Sequence, residues 1–128
     1  MSYVKLRQII NDMNLEIVHE STDLDDINIY SSEISRPGLQ IVGYFEKFVP
    51  ERIQIIGSAE WHYYNDIPNS LRYDSIDKLF SYPIPAFIIS RDLPVFKEII
   101  TLAKKHNITI LRTKENTSKI INKVLNYI

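Results

Sequence analysis

The sequence contains no cysteine. Disulfides, thiolate metal sites and a cysteine nucleophile are therefore excluded. Only three of its 128 residues are glycine, which leaves almost no material for a glycine-rich phosphate loop. Unbroken apolar runs reach only a few residues, far short of the ~20 that a membrane-spanning helix needs. The opening Met1-Ser2-Tyr3-Val4-Lys5 lacks the charged-then-apolar order of a secretory signal. Neither sign of charge prevails. There are 15 Lys+Arg against 16 Asp+Glu, a net of -1, so no general field draws the chain to nucleic acid or an anionic membrane. A cytoplasmic chain without nucleic-acid or membrane partners is expected. What is present is ordinary for a globular protein: 45% hydrophobic and 24% charged residues. Residues 1–128 fit one domain, long enough to bury a core without covalent staples. The 22 isoleucines against three alanines reflect an AT-rich coding sequence and carry no mechanism.

Periodicity then places the elements. Leu6, Ile9, Ile10 and Met13 share one helical face, with Ser2 as a candidate N-cap. Leu15 to His19 reads as a strand with Leu15, Ile17 and His19 on one side, and Ser21 to Asp26 as a polar turn before a second strand at Ile27 to Tyr30. Pro37 suits the start of a helix carrying Leu39, Ile41 and Val42 and ending near Gly43. Arg52 to Gly57 reads as a buried strand. Ser58 then caps a helix with Trp61 and Tyr64, which Pro68 stops. Leu71 to Phe80 forms a further helix on Ile76, Leu79 and Phe80. Ala86 to Ile89 is the continuous apolar run of a strand buried on both faces. Pro94 opens a helix with Phe96, Ile99, Ile100 and Ala103 inward and Lys104, Lys105 and His106 in its last turn. Ile108 to Leu111 is another strand, and Asn116 caps a final helix with Ile120, Ile121, Val124, Leu125 and Ile128 inward. Strand, helix, strand, helix at this spacing predicts a parallel pair joined by a right-handed crossover. The fold class is α/β: a single layered domain with a mixed, partly parallel sheet flanked by helices.

Few residues offer chemistry. Gly38 and Gly43 have the spacing of a phosphate-binding loop, but Tyr44 and Phe45 stand where its Lys and Ser/Thr belong. A tight turn at Gly38 and a helix end at Gly43 are expected instead. Asp23, Asp25 and Asp26 lack the glycine and glutamate of a calcium loop, since Asn28 and Ile34 hold those places. His19, His62 and His106 have no ligand spacing. The sequence presents no catalytic, cofactor-binding or metal-binding residue set. Trp61-His62-Tyr63-Tyr64 cannot all face inward from one helix, so at least one ring is exposed or meets another chain. The arginines carry more. Arg36 precedes Pro37, Arg52 opens a strand, and Arg91 and Arg112 each follow a buried strand. In open α/β sheets ligands bind beyond the carboxyl ends of parallel strands, and guanidinium suits carboxylate or phosphate. Arg36, Arg91 and Arg112 are thus candidate anion or partner contacts. The alternative is salt bridging to acids such as Glu33, Asp92 or Glu115.

Three stretches are distinctive together: Ser35-Arg36-Pro37-Gly38-Leu39, Gly43-Tyr44-Phe45, and Pro50-Glu51-Arg52-Ile53-Gln54-Ile55-Ile56-Gly57. In this order and spacing they resemble the N-terminal domain of bacterial HPr kinase/phosphorylase. The resemblance continues through Glu60, the Pro83-to-Ser90 region with Arg91 after it, and Ile110-Leu111-Arg112-Thr113. The shared positions are Ser35, Arg36, Pro37, Gly38, Gly43, Tyr44, Arg52, Gln54, Gly57 and Glu60. The resemblance implies a fold similar to the N-terminal domain of Mur ligases. It also implies a parent enzyme that phosphorylates a serine of the phosphocarrier HPr, and removes that phosphate, in carbon catabolite control. That chemistry belongs to a C-terminal kinase domain with a phosphate-binding loop, ATP or pyrophosphate, and magnesium, to which nothing in these 128 residues corresponds. This chain is then not itself an enzyme. It is expected to be a regulatory or assembly domain whose partners are its own kinase domain, HPr, or a second copy in a dimer. The competing expectation is a free-standing module of the same fold that binds a small molecule or anion. A reading frame that continues past Ile128 into a phosphate-binding loop would separate the two.

Overall fold

The computed structural model describes residues 3–127. The proposed cap Ser2 and the proposed inward Ile128 lie outside them. The elements in chain order are β1 (Val4–Lys5), α1 (Leu6–Asp12), β2 (Glu16–His19), a 3-10 turn at Leu24–Asp26, β3 (Asn28–Ile29), β4 (Ile34–Ser35), α2 (Gly38–Ile41), β5 (Ile53–Ile56), α3 (Ser58–Asp66), α4 (Asn69–Phe80), β6 (Phe87–Ile89), α5 (Lys97–His106), β7 (Ile110–Arg112) and α6 (Thr117–Tyr127). Five strands form one sheet in the order β2-β7-β6-β5-β4. β4 to β7 are mutually parallel, and β2 lies antiparallel on β7. β1 and β3 make a separate antiparallel pair.

The parallel strands are neighbours in chain order, so each crossover steps the same way across the sheet. Crossovers of one hand then put their helices on one face. The packing follows. Ile56, Phe87, Ile89 and Ile110 meet Ile41 of α2, Tyr64 of α3, Ile76, Leu79 and Phe80 of α4, and Ile99, Leu102 and Ala103 of α5. The alternate residues Ile53, Ile55, Ile88 and Leu111 point the other way, onto Leu6, Ile9 and Ile10 of α1 and Ile120 and Val124 of α6. Helices thus cover both faces, which explains why β5 and β6 are buried throughout, β6 as an unbroken apolar run and β5 as isoleucines around the buried Gln54. β6–α5–β7 is the expected parallel pair.

Several sequence expectations need correction. α2 is shorter than the expected helix: it is one turn, Gly38–Ile41, with Val42 as its C-cap, and it buries Gln40 and Ile41 while Leu39 and Val42 are exposed. Gly57, not Ser58, is the N-cap of α3. Pro94 does not open α5: the helix begins at Lys97, with Phe96 in extended backbone as its N-cap. Its inner stripe contains Leu102, while Ile100 is only part-buried. Leu125 is half exposed on α6. β1 and β4 carry two residues each, too short for any periodic signal.

Candidate functional site

The four parallel strands end along one edge of the sheet, where the loops after them meet. Arg36 follows β4. Its guanidinium holds Glu60 of α3 from both Nε and Nη2, at 3.0–3.1 Å. Glu60 Oε1 also accepts the Gly57 N–H at 2.7 Å, satisfying a donor that the start of α3 would leave orphaned. Gly57 is packed so tightly that a Cβ would stand 2.3 Å from Thr117 Oγ1 and 2.8 Å from Arg36 Nη2. Thr117 is the first residue of α6, and its hydroxyl meets Ser90 Oγ at 2.7 Å. Ser90 Oγ in turn donates to Ile56 O at 3.0 Å. The loops after β4, β5, β6 and β7 are thereby tied into one unit.

Farther along the edge, Arg112 is the last residue of β7. It donates from Nε and Nη2 to Glu16 of β2 at 3.0 and 3.3 Å, and its Nε lies 3.3 Å from Asp92. The bond to Glu16 raises its already high pKa. Arg91 and Asp92 both adopt left-handed backbone, with φ of 57° and 54°. Their N–H groups donate to Glu115 O and Thr113 O at 2.9 and 2.8 Å, offsetting the cost of that conformation. The Arg91 side chain is exposed and makes no hydrogen bond or ion pair among the described residues.

Arg91 and Arg112 thus flank neighbouring strands, as the sequence implies. Arg36 does not join them: with strands ~4.8 Å apart, β4 lies two steps, about 10 Å, from β6 and three steps, about 14 Å, from β7 along the edge. The strand order also runs β4, β5, β6, β7 without reversal, so no switch-point crevice opens between the parallel strands. Arg52 lies at the opposite end of β5 from Gly57 and pairs with Glu33. Asp92 and Glu33 were expected partners of the arginines. Glu16 gave no signal, being 96 residues from Arg112.

The remaining motif positions are structural in their contacts. Ser35 pairs with Gln54 in the ladder. Gly38 N–H donates to Arg36 O at 2.9 Å, closing a tight turn around Pro37. Gly43 has φ 99° and ends α2, as expected. Tyr44 is exposed and donates to Glu46. Phe45 stacks on Tyr82 at 5.3 Å, and Phe48 meets both rings edge-on. Gln54 is wholly buried in β5, and its Nε2 donates to Arg52 O at 2.9 Å and Val49 O at 3.5 Å. The segment from residue 43 to 52 is therefore held from inside the core. Of the ring run, Tyr64 is buried, Trp61 donates to Pro94 O, and His62 and Tyr63 are exposed. No group of three or more His, Asp or Glu among the described residues is placed to hold a metal ion. Among those residues no helix is long and apolar enough to cross a membrane.

Residues 4–128 match the family model described as the HPr serine kinase N terminus. The chain belongs to that family. It is 41% identical over 128 residues to HPr kinase/phosphorylase of Caldanaerobacter subterraneus subsp. tengcongensis, and 42% identical over 125 residues to that of Clostridium botulinum strain Eklund 17B. These alignments take in 100% and 98% of this chain but only 42% and 40% of the relatives. The chain thus spans about two fifths of the curated HPr kinase/phosphorylases it matches, in their N-terminal part. Among solved structures, the regulatory region of Clostridium perfringens pyrophosphatase, with CBS and DRTGG domains and bound diadenosine tetraphosphate, aligns with a TM-score of 0.65. The alignment covers 94% of this chain and 46% of that one at 18% identity, so the likeness concerns the fold.

Proposed function

We propose that this HPr kinase N-terminal domain is a non-catalytic regulatory or assembly domain. Its partner is a kinase domain that phosphorylates a serine of HPr and removes that phosphate. The observation that carries this reading is the match of the whole chain to the N-terminal two fifths of the curated enzymes. ATP or pyrophosphate and magnesium belong, in this reading, to the kinase domain. The interlocked loops after β4 to β7 support it. There Ser90 and Thr117 bond each other and Glu60 is held by Arg36, so these groups serve to interlock the loops. The pyrophosphatase region that shares the fold is itself described as regulatory, a likeness at the level of fold only. Similarity to the first domain of Mur ligases is part of the same reading and likewise brings no ligand with it.

The test supplies the 128-residue chain in trans to a kinase domain of a curated relative lacking its own N-terminal domain. The expected result is a changed rate of HPr serine phosphorylation or dephosphorylation, or a changed mass of the assembly by sedimentation, with no phosphorylation by the chain alone. An unchanged rate together with an unchanged mass would overturn the proposal, as would HPr phosphorylation by the chain alone.

A further inference from the structure

We propose that the cavity between the β4–α2 turn and the segment before β5 binds an oxyanion, the carboxylate or phosphate group of a small metabolite, through Arg36, Lys47 and Arg52. The cavity measures about 330 Å³, at the lower end of the range for small-molecule sites. Its lining includes these three cationic side chains and no carboxylate. A concavity lined by one sign of charge focuses the field and concentrates the opposite sign.

The pairing of these cations leaves them donors to spare. Arg36 engages Glu60 through Nε and Nη2, and Arg52 engages Glu33 through Nη2, while both carboxylates lie outside the lining. Lys47 is exposed and makes no ion pair or hydrogen bond among the described residues. Leu39, Phe48 and Val49 supply an apolar wall for the body of an organic anion. The site is also braced. Gln54 Nε2 holds the Val49 and Arg52 carbonyls, and the Phe45–Phe48–Tyr82 ring cluster anchors the segment that carries Lys47. Such fixing lowers the ordering cost of binding.

A larger cavity, about 470 Å³, lies beside Arg112. There Asp12, Glu16, Asp92 and Glu115 offset Arg112, Lys114 and Lys123, so no sign of charge is selected. The anion site is thereby assigned to Arg36 with Lys47 and Arg52, rather than to Arg36 with Arg91 and Arg112. The inference is independent of the regulatory reading, since it concerns the chain alone.

The test is an amide chemical-shift titration of the 128-residue chain at constant ionic strength. Inorganic phosphate and citrate are the two probes, with chloride as the reference. Saturable shifts at Leu39, Gln40, Phe48 and Val49 with phosphate would identify a phosphate site, and with citrate a carboxylate site. Lys47 lies on the surface, so Lys47→Glu should leave the fold intact and weaken binding by about tenfold or more, the scale of one lost charge-assisted hydrogen bond. Arg52→Gln should weaken it too, whereas Lys114→Glu in the other cavity should not. The proposal is overturned by linear, unsaturated shifts with both probes at millimolar concentration. Unaltered affinity in Lys47→Glu, or shifts centred on Arg112, would overturn it equally.

Discussion

At Gly57 the chain leaves β5 for α3, and the space for a side chain is already filled. An alanine Cβ would meet Thr117 Oγ1 and Arg36 Nη2 well inside contact distance. Neither can simply withdraw, because Thr117 is bonded to Ser90 and Arg36 to Glu60. Gly57→Ala should therefore destabilise the fold by about 1–3 kcal/mol, the usual cost of overpacking. Urea denaturation measures it. Gly38→Ala is the internal control: a Cβ there finds nothing within 4 Å, so its midpoint should stay close to that of the parent. A midpoint for Gly57→Ala equal to that of Gly38→Ala would refute the packing argument. The two glycines differ in how they can be read. Gly43 ends a helix, a local role visible beside Tyr44 and Phe45, and its φ of 99° agrees. Gly57 is required by a threonine 60 residues away, and no local pattern announces that.

Among the elements, α6 shows what capping contributes. Asn116 Oδ1 accepts the Lys119 N–H at 2.8 Å, as the sequence led one to expect. Asn116→Ala should cost about 1 kcal/mol, read as a lower thermal midpoint, with Asn116→Asp close to the parent; equal midpoints for all three chains would sink the cap. α5 shows the reverse case. Pro94 is a sound local start signal, yet Phe96 is drawn into a ring cluster with Trp61 at 5.0 Å and Tyr64 at 4.9 Å. The Pro94 carbonyl is meanwhile taken by the Trp61 indole. Those contacts hold Phe96 in extended backbone and delay the helix to Lys97. α2 is found where Pro37 and Gly43 place it, but its buried face is not legible. A single turn presents too few residues for a stripe, so which of Leu39, Gln40, Ile41 and Val42 is buried depends on the neighbours and not on periodicity.

For the whole molecule, acid stability follows from charges paired between elements. Asp77 of α4 accepts from Lys105 and pairs with His106 of α5, at 3.0 and 2.7 Å. The hydrogen bond to His106, then that to Lys105, holds its carboxyl below the ordinary value of 3.8. Asp25 is lowered by Arg7 and Glu115 by Lys123. A carboxylate whose pKa is lower folded than unfolded adds stability above the unfolded value and loses it as pH falls through the folded one. The chain should accordingly lose stability below about pH 4, and Asp77→Asn should flatten that acid limb. Urea midpoints at pH 6 and pH 3 test this; an acid limb as steep in the variant as in the parent would count against it.

The central elements were legible because their signals are local. β6 is a short apolar run, β5 and β7 are mostly isoleucine and leucine, and α1 and α6 carry stripes that sit within a dozen residues, so burial can be inferred without knowing the partners. The motif trio, equally, was enough to place the chain in its family. Tertiary structure decided what depends on distant pairings: β2 running against β7, Arg112 choosing Glu16 across 96 residues, and Arg36 choosing Glu60 in preference to the other arginines' end of the sheet. It also decided that Lys47, unremarkable in the sequence, shares a cavity with Arg36 and Arg52. An apolar side chain needs only a dry environment, which many folds provide. A charge needs one particular partner at one distance, and only the assembled sheet fixes which partner that is.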